Sequence, residues 1–183
     1  LGHAGISNSN PHCPPKVDGI SDAFYQKCQL GSSENLYWGN ILTGMMKALD
    51  DGYGDPVYCG HRYNLLDPYA KEIGLGAVEE QSAQKLTGGR SSSVDFVCWP
   101  SKGVTPTEAL YTTTPRWTIS AYNGYRFNDN TYVTVKLLNN ESKSWKITRS
   151  DSNAVFSSSF ISFYNSGLAL ADGYVYQVTL HNV

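Results

Sequence analysis

The chain has 183 residues, of which 40% are hydrophobic and only 16% charged. That is enough apolar material for a packed core, and it excludes wholesale disorder. The formal net charge of −2 comes with no basic stripe, which excludes nucleic acid as a partner, and no apolar run approaches the roughly 20 residues that a membrane-spanning helix needs.

Polarity comes instead from Ser, Thr, Asn, Gly and 13 Tyr, a bias common in β-rich extracellular proteins. Leu1 is not a start methionine and no signal-peptide pattern is visible, so a mature, processed chain is expected. The first twenty residues hold three prolines and read as an irregular loop. A short helix is expected over Ala23–Cys28, capped by Ser21 or Asp22. Over residues 35–51, Leu36, Ile41, Leu42, Met45, Met46 and Leu49 fall at helical spacing, with Asn35 or Asn40 as the cap. Gly52 to Pro56 ends that helix, and His61–Leu66 reads as a helical turn closed by Pro68.

Ile73–Val78 reads as a strand, residues 79–93 as a hairpin loop and Val94–Trp99 as the returning strand. Residues 101–116 carry prolines and suit a linker. Strands are then expected at Trp117–Ala121, Thr131–Leu137, Ser144–Thr148, Phe160–Tyr164 and Tyr174–His181, with clear alternation in Tyr132–Leu137. Several short strands at regular spacing predict a small β-sandwich.

Four cysteines allow three pairings, and spacing favours Cys13–Cys28. Cys59–Cys98 is the complementary pair, although Cys98 also fits as a buried thiol in an apolar strand. No CxxC or CxxH spacing is present, so a structural zinc site on the cysteines is not expected.

Three residues stand out for chemistry. His12 and His61 lie in loops punctuated by Pro and Gly, where binding residues concentrate, and Glu34 follows a Gly-Ser-Ser loop. Spacing alone reads Glu34 as a helix-start acid and each histidine as an ordinary surface residue. Among the aromatics of the first half, Trp38 reads as core, and Tyr58 and Tyr63 as lining for a cleft around His61. Trp99, Trp117 and Trp145 read as core of the strands and of the junction between the two halves.

Glu34-Asn35-Leu36 resembles the GENI motif of CAP (SCP-like extracellular) domains, with Ser33 where Gly is usual. Gly60-His61-Arg62 through Pro68 is similar to the GHR segment of bacterial members, and Ile73-Gly74-Leu75-Gly76 follows it as it does there. His3-Ala4 resembles the end of the family's HA helix, and His12 falls at the following SH position. Phe96 to Gly103, Thr105 to Glu108 and Pro115 to Trp117 resemble the connector of clostridial-type members, which leads into a β-rich tail.

This resemblance implies an α+β chain. A partial CAP α-β-α sandwich would occupy residues 1–100, with most of its N-terminal helix missing. The linker at 101–116 would be followed by a small all-β, Ig-like sandwich at 117–183. It implies one cleft holding His12, Glu34 and His61. A second acid would come from Asp50 or Asp51, with Asp51 preferred. Two neutral imidazoles and a carboxylate suit Zn²⁺ or another divalent metal, with a position left open.

The resemblance further implies a secreted or cell-surface protein that binds a peptide, a lipid or a cell-wall glycan. A metal-dependent hydrolase of peptide or cell-wall material is one alternative, and a structural surface module with a vestigial site is another. A second copy, as a homodimer, would cover the core edge left by the missing helix.

Overall fold

The computed structural model describes residues 12, 15–28, 34–51, 59–89, 92–110, 116–139, 143–168 and 170–183, without the side chains of 28, 108 and 109. Among these, three short α-helices, one 3-10 turn (Thr107–Leu110) and ten strands are present. They are α1 (Asp22–Cys28), β1 (Glu34–Trp38), α2 (Ile41–Asp50), α3 (Gly60–Leu65), β2 (Ala70–Val78), β3 (Gln81–Gly88) and β4 (Phe96–Trp99). After them come β5 (Trp117–Ala121), β6 (Tyr132–Leu137), β7 (Ser144–Ile147), β8 (Ala154–Phe156), β9 (Phe160–Phe163) and β10 (Tyr176–His181).

The strands make three antiparallel sheets, in the orders β1-β3-β2, β4-β5-β9-β8 and β10-β6-β7. The second and third sheets pack face to face. Alternation along β6 sends Val133, Val135 and Leu137 inward, where Val133 and Val135 meet Trp117, Ile119, Ile161 and Phe163 of the opposing sheet. β5 is buried at every position, so both its faces are covered. Its second face is covered by the N-terminal half. Tyr63 of α3 sits edge-on against Phe160 at 5.5 Å between ring centroids, and Cys59 Sγ lies 3.6 Å from Ser162 Oγ.

The first sheet packs on the same helices from the far side. Asn35 and Gln84 are paired across β1 and β3, and both are fully buried. A Cβ on Gly44 of α2 would stand 2.6 Å from Ser82 Oγ, so glycine is what lets the helix approach this sheet. Helix α3 therefore lies between two sheets, whereas α2 packs on the first sheet and leaves Leu42 and Met46 exposed.

This arrangement overturns the expected α-β-α sandwich. The chain is mostly β, in three antiparallel sheets with few and short helices, and no central sheet is flanked by helix layers among the described residues. Three local expectations change with it. Glu34–Trp38 is strand, with the helix beginning only after Asn40. Gln81–Gly88, expected as loop, is the central strand of the first sheet. β4 pairs with β5 rather than returning to β2, so it joins the second sheet. Trp38, expected in the core, is 69% exposed. No helix among the described residues is long and apolar enough to cross a membrane.

Candidate functional site

Helix α2 places one half of the site. Asn40 caps its start by accepting from the Thr43 N–H at 2.9 Å. At its end Asp51 takes the left-handed conformation (φ 39, ψ 32), and its N–H donates to the Lys47 carbonyl at 2.7 Å. That conformation, which Asp tolerates better than most residues, reverses the chain and leaves the carboxylate pointing at α3.

There the carboxylate meets two partners. Oδ1 lies 2.8 Å from His61 Nδ1, and Oδ2 accepts from the Arg62 backbone N–H at 3.1 Å. Asp51 is 4% exposed and the His61 side chain 39%. A carboxylate accepts, so Nδ1 carries the proton, and Nε2 is left with its lone pair for solvent or a ligand.

Neighbouring groups hold this pair in place. Asn35 donates from Nδ2 to the His61 carbonyl at 3.0 Å, and its Oδ1 accepts from Asn64 at 3.2 Å. Tyr37 lies with its ring centroid 4.8 Å from that of His61. Its hydroxyl is buried and has no hydrogen-bond partner among the described residues. Burial pushes the phenol well above its ordinary value, the Asp51 charge adds to that, and Arg62 opposes it.

Arg62 ties the site to the rest of the molecule. It is 2% exposed and donates to the carbonyls of Leu49 (2.5 Å), Asp50 (2.6 Å) and Arg116 (2.7 Å). The first two are carbonyls at the C-terminal end of α2 that have no partner within the helix. The third belongs to the segment entering β5. Burial also raises the Cys59 thiol, with Arg62 and the Ser162 contact acting the other way.

The expected cleft is thus divided. His61 pairs with Asp51, and His12 Nδ1 lies 3.8 Å from Glu34 Oε2. Among the described residues no hydrogen bond or ion pair joins the two pairs. Nor is there a group of three or more His, Cys, Asp or Glu side chains placed to hold a metal ion. The combination of His12, Glu34 and His61 does not fit Zn²⁺ or another divalent ion in this geometry.

Tyr63 faces away from His61, stacking 6.5 Å from Tyr122 and meeting Phe160 edge-on. It lines the junction between the halves. Tyr58 lies outside the described residues, as does Cys13, and the Cys28 side chain is likewise not described. Cys59 and Cys98 are free thiols, Cys59 buried and Cys98 exposed.

Sequence reasoning missed Asn35 and Tyr37 as supports for His61. Their signal was a polar residue and an aromatic at alternate positions of β1, both turned toward the helices. Comparison with protein-family models, with curated proteins and with solved structures returned no match to this chain.

Proposed function

We propose that this chain is a secreted or cell-surface binding protein that engages a polar ligand, a cell-wall glycan or peptide, at His61. The carrying observation is the Asp51–His61 hydrogen bond at 2.8 Å, which fixes the ring and its tautomer and leaves Nε2 as an acceptor. A hydroxyl or amide N–H of the ligand is the complementary donor. The His12–Glu34 pair supplies a second polar contact on the same half of the molecule. The extracellular assignment draws on the low charge, the abundance of Tyr, Ser, Thr and Asn, and the ordered SCP-like motifs around Glu34 and His61.

Co-sedimentation with insoluble bacterial peptidoglycan tests this reading. Binding is expected in the unmodified protein. It should weaken by about tenfold in His61→Ala and in Asp51→Asn, the scale of one lost charge-assisted hydrogen bond. Added chelator should leave it unchanged. Binding that survives both substitutions would sink the proposal.

A second reading is supported by the same pair. A histidine held by a buried carboxylate is suited to act as a general base on a water molecule, which makes hydrolysis of peptide or cell-wall material chemically accessible. Soluble fragments released from peptidoglycan by the unmodified protein, and not by His61→Ala, would favour hydrolysis over binding alone.

A further inference from the structure

The second and third sheets meet face to face, and one side of their seam is open. β4 ends one sheet and β10 ends the other. Between these two edges, beneath the loop that follows Trp99, lies a cavity of about 470 Å³. It includes neither His61 nor Asp51, and its volume falls in the range of small-molecule sites.

Its lining is stratified. The floor is largely apolar and belongs to the core of the sandwich: Trp117, Ile119, Phe163 and Leu110, each at most 8% exposed, with Thr118 as its buried polar residue. The walls are aromatic. Tyr176 stands edge-on to Trp117 at 5.4 Å and to Tyr174 at 6.3 Å, and Trp99 carries the Arg62 guanidinium 5.9 Å from its ring centroid. The mouth is polar, with Ser101, Thr105 and Gln177 around Lys102. Lys102 is the one charged side chain among the described lining residues. The carboxylate of Asp172, near the mouth, accepts from the Thr107 hydroxyl at 3.0 Å and is not part of the lining.

We propose that this cavity binds a small amphipathic anion: a flat apolar body seated on the floor, with a single carboxylate at Lys102. Each part follows from the lining. Hydroxyls driven to the floor would meet mostly hydrocarbon, with Thr118 as the polar side chain there, and most would lose their hydrogen bonds, which disfavours a ligand that is polar throughout. Aromatic walls favour a ring, by edge-to-face and offset contacts. A lysine with no acid beside it among the described lining residues selects negative charge at the mouth.

Calorimetric titration with 2-naphthoate, 2-naphthylmethanol and 2-naphthylmethylammonium tests the proposal, because the three share a ring system and differ in charge. One saturable site is expected. The carboxylate should bind about tenfold more tightly than the alcohol and the ammonium compound most weakly, tenfold being the scale of one charge-assisted contact. Lys102→Gln should bring carboxylate and alcohol to within about threefold of each other without weakening the alcohol. Ala171→Trp, which fills the mouth, should abolish binding of all three.

Lys102 is exposed and outside any regular element, so its substitution is readable even if the Ala171 variant loses its fold. Absence of saturable binding would overturn the proposal. So would equal affinity for the three compounds, or binding unchanged in a folded Ala171→Trp.

Discussion

The two halves of this molecule are held together in opposite ways. In the half formed by the first sheet and the helices, the largest fully buried side chains are Arg62, Gln84 and Asn35, beside the smaller Ala48 and Cys59. The Tyr37 hydroxyl, both ends of the Gln84 amide and one oxygen of Asp50 are buried in that half with no hydrogen-bond partner among the described residues. Between the second and third sheets, the fully buried side chains are Phe163, Ile161, Val133 and Val135. The second interior is stabilised by removing apolar area from water, which is non-directional and tolerant of detail. The first depends on directional contacts, which stabilise less per group but fix orientation. His61 and Asp51 sit in the half that supplies orientation. The apolar half supplies the stable surface against which it is docked.

Substitutions can sharpen or break this contrast. Arg62→Met removes the donors to three carbonyls, two at the end of α2 and one at Arg116, and a loss of about 3–5 kcal/mol is expected in urea unfolding. Phe163→Ala opens a cavity in the apolar core and should cost a similar amount, about 3–5 kcal/mol. The two should differ in kind. Arg62→Met should also weaken ligand binding at His61, because it loosens α3, whereas Phe163→Ala should not.

Gly44→Ala drives a methyl group to within contact of Ser82 and Gln84, and about 1–3 kcal/mol of destabilisation is expected. Gln84→Leu is the sharpest discriminator. It replaces an amide that has no partner among the described residues by a hydrocarbon of similar size, so stability should stay within about 1 kcal/mol of the unmodified protein or rise. A loss above about 2 kcal/mol would mean that the polar interior is satisfied and that the contrast between the halves fails.

The smallest effect concerns alkaline pH. Burial raises the phenols of Tyr37 and Tyr122 above their ordinary 10.0, so the folded protein keeps protons that the unfolded chain releases. Stability should therefore be unaffected by these groups below that value and fall as pH rises through it. Tyr37→Phe should make the alkaline decline of the melting temperature shallower, while leaving the melting temperature at pH 7 nearly unchanged.

Legibility in the sequence follows the same division. Tyr132–Leu137 alternates apolar and polar residues over an apolar core, and it was readable as a strand. β3 was not, because the residues it turns inward are Ser82 and Gln84, so its burial leaves no apolar period. β1 was misread as the start of a helix because Leu36 extends the helical spacing of Ile41 to Leu49, although Gly39, at φ 120, breaks the chain between them. β8 has three residues, too few for any period. At the site, His12, Glu34, His61 and Asp51 could be named in advance, but not how they pair.

Local sequence thus decided where most strands and helices lie, because side-chain alternation, spacing and capping act over a few residues and are written in order along the chain. Tertiary structure alone decided that α3 lies between sheets, that His61 takes Asp51 rather than Glu34, and that Arg62 joins α2 to the segment entering β5. Those outcomes depend on contacts such as Arg62 to Arg116 and Cys59 to Ser162, which join residues 54 and 103 positions apart. No local pattern encodes such a contact. It forms only when the layers have packed and each buried polar group takes the partner that packing leaves within reach.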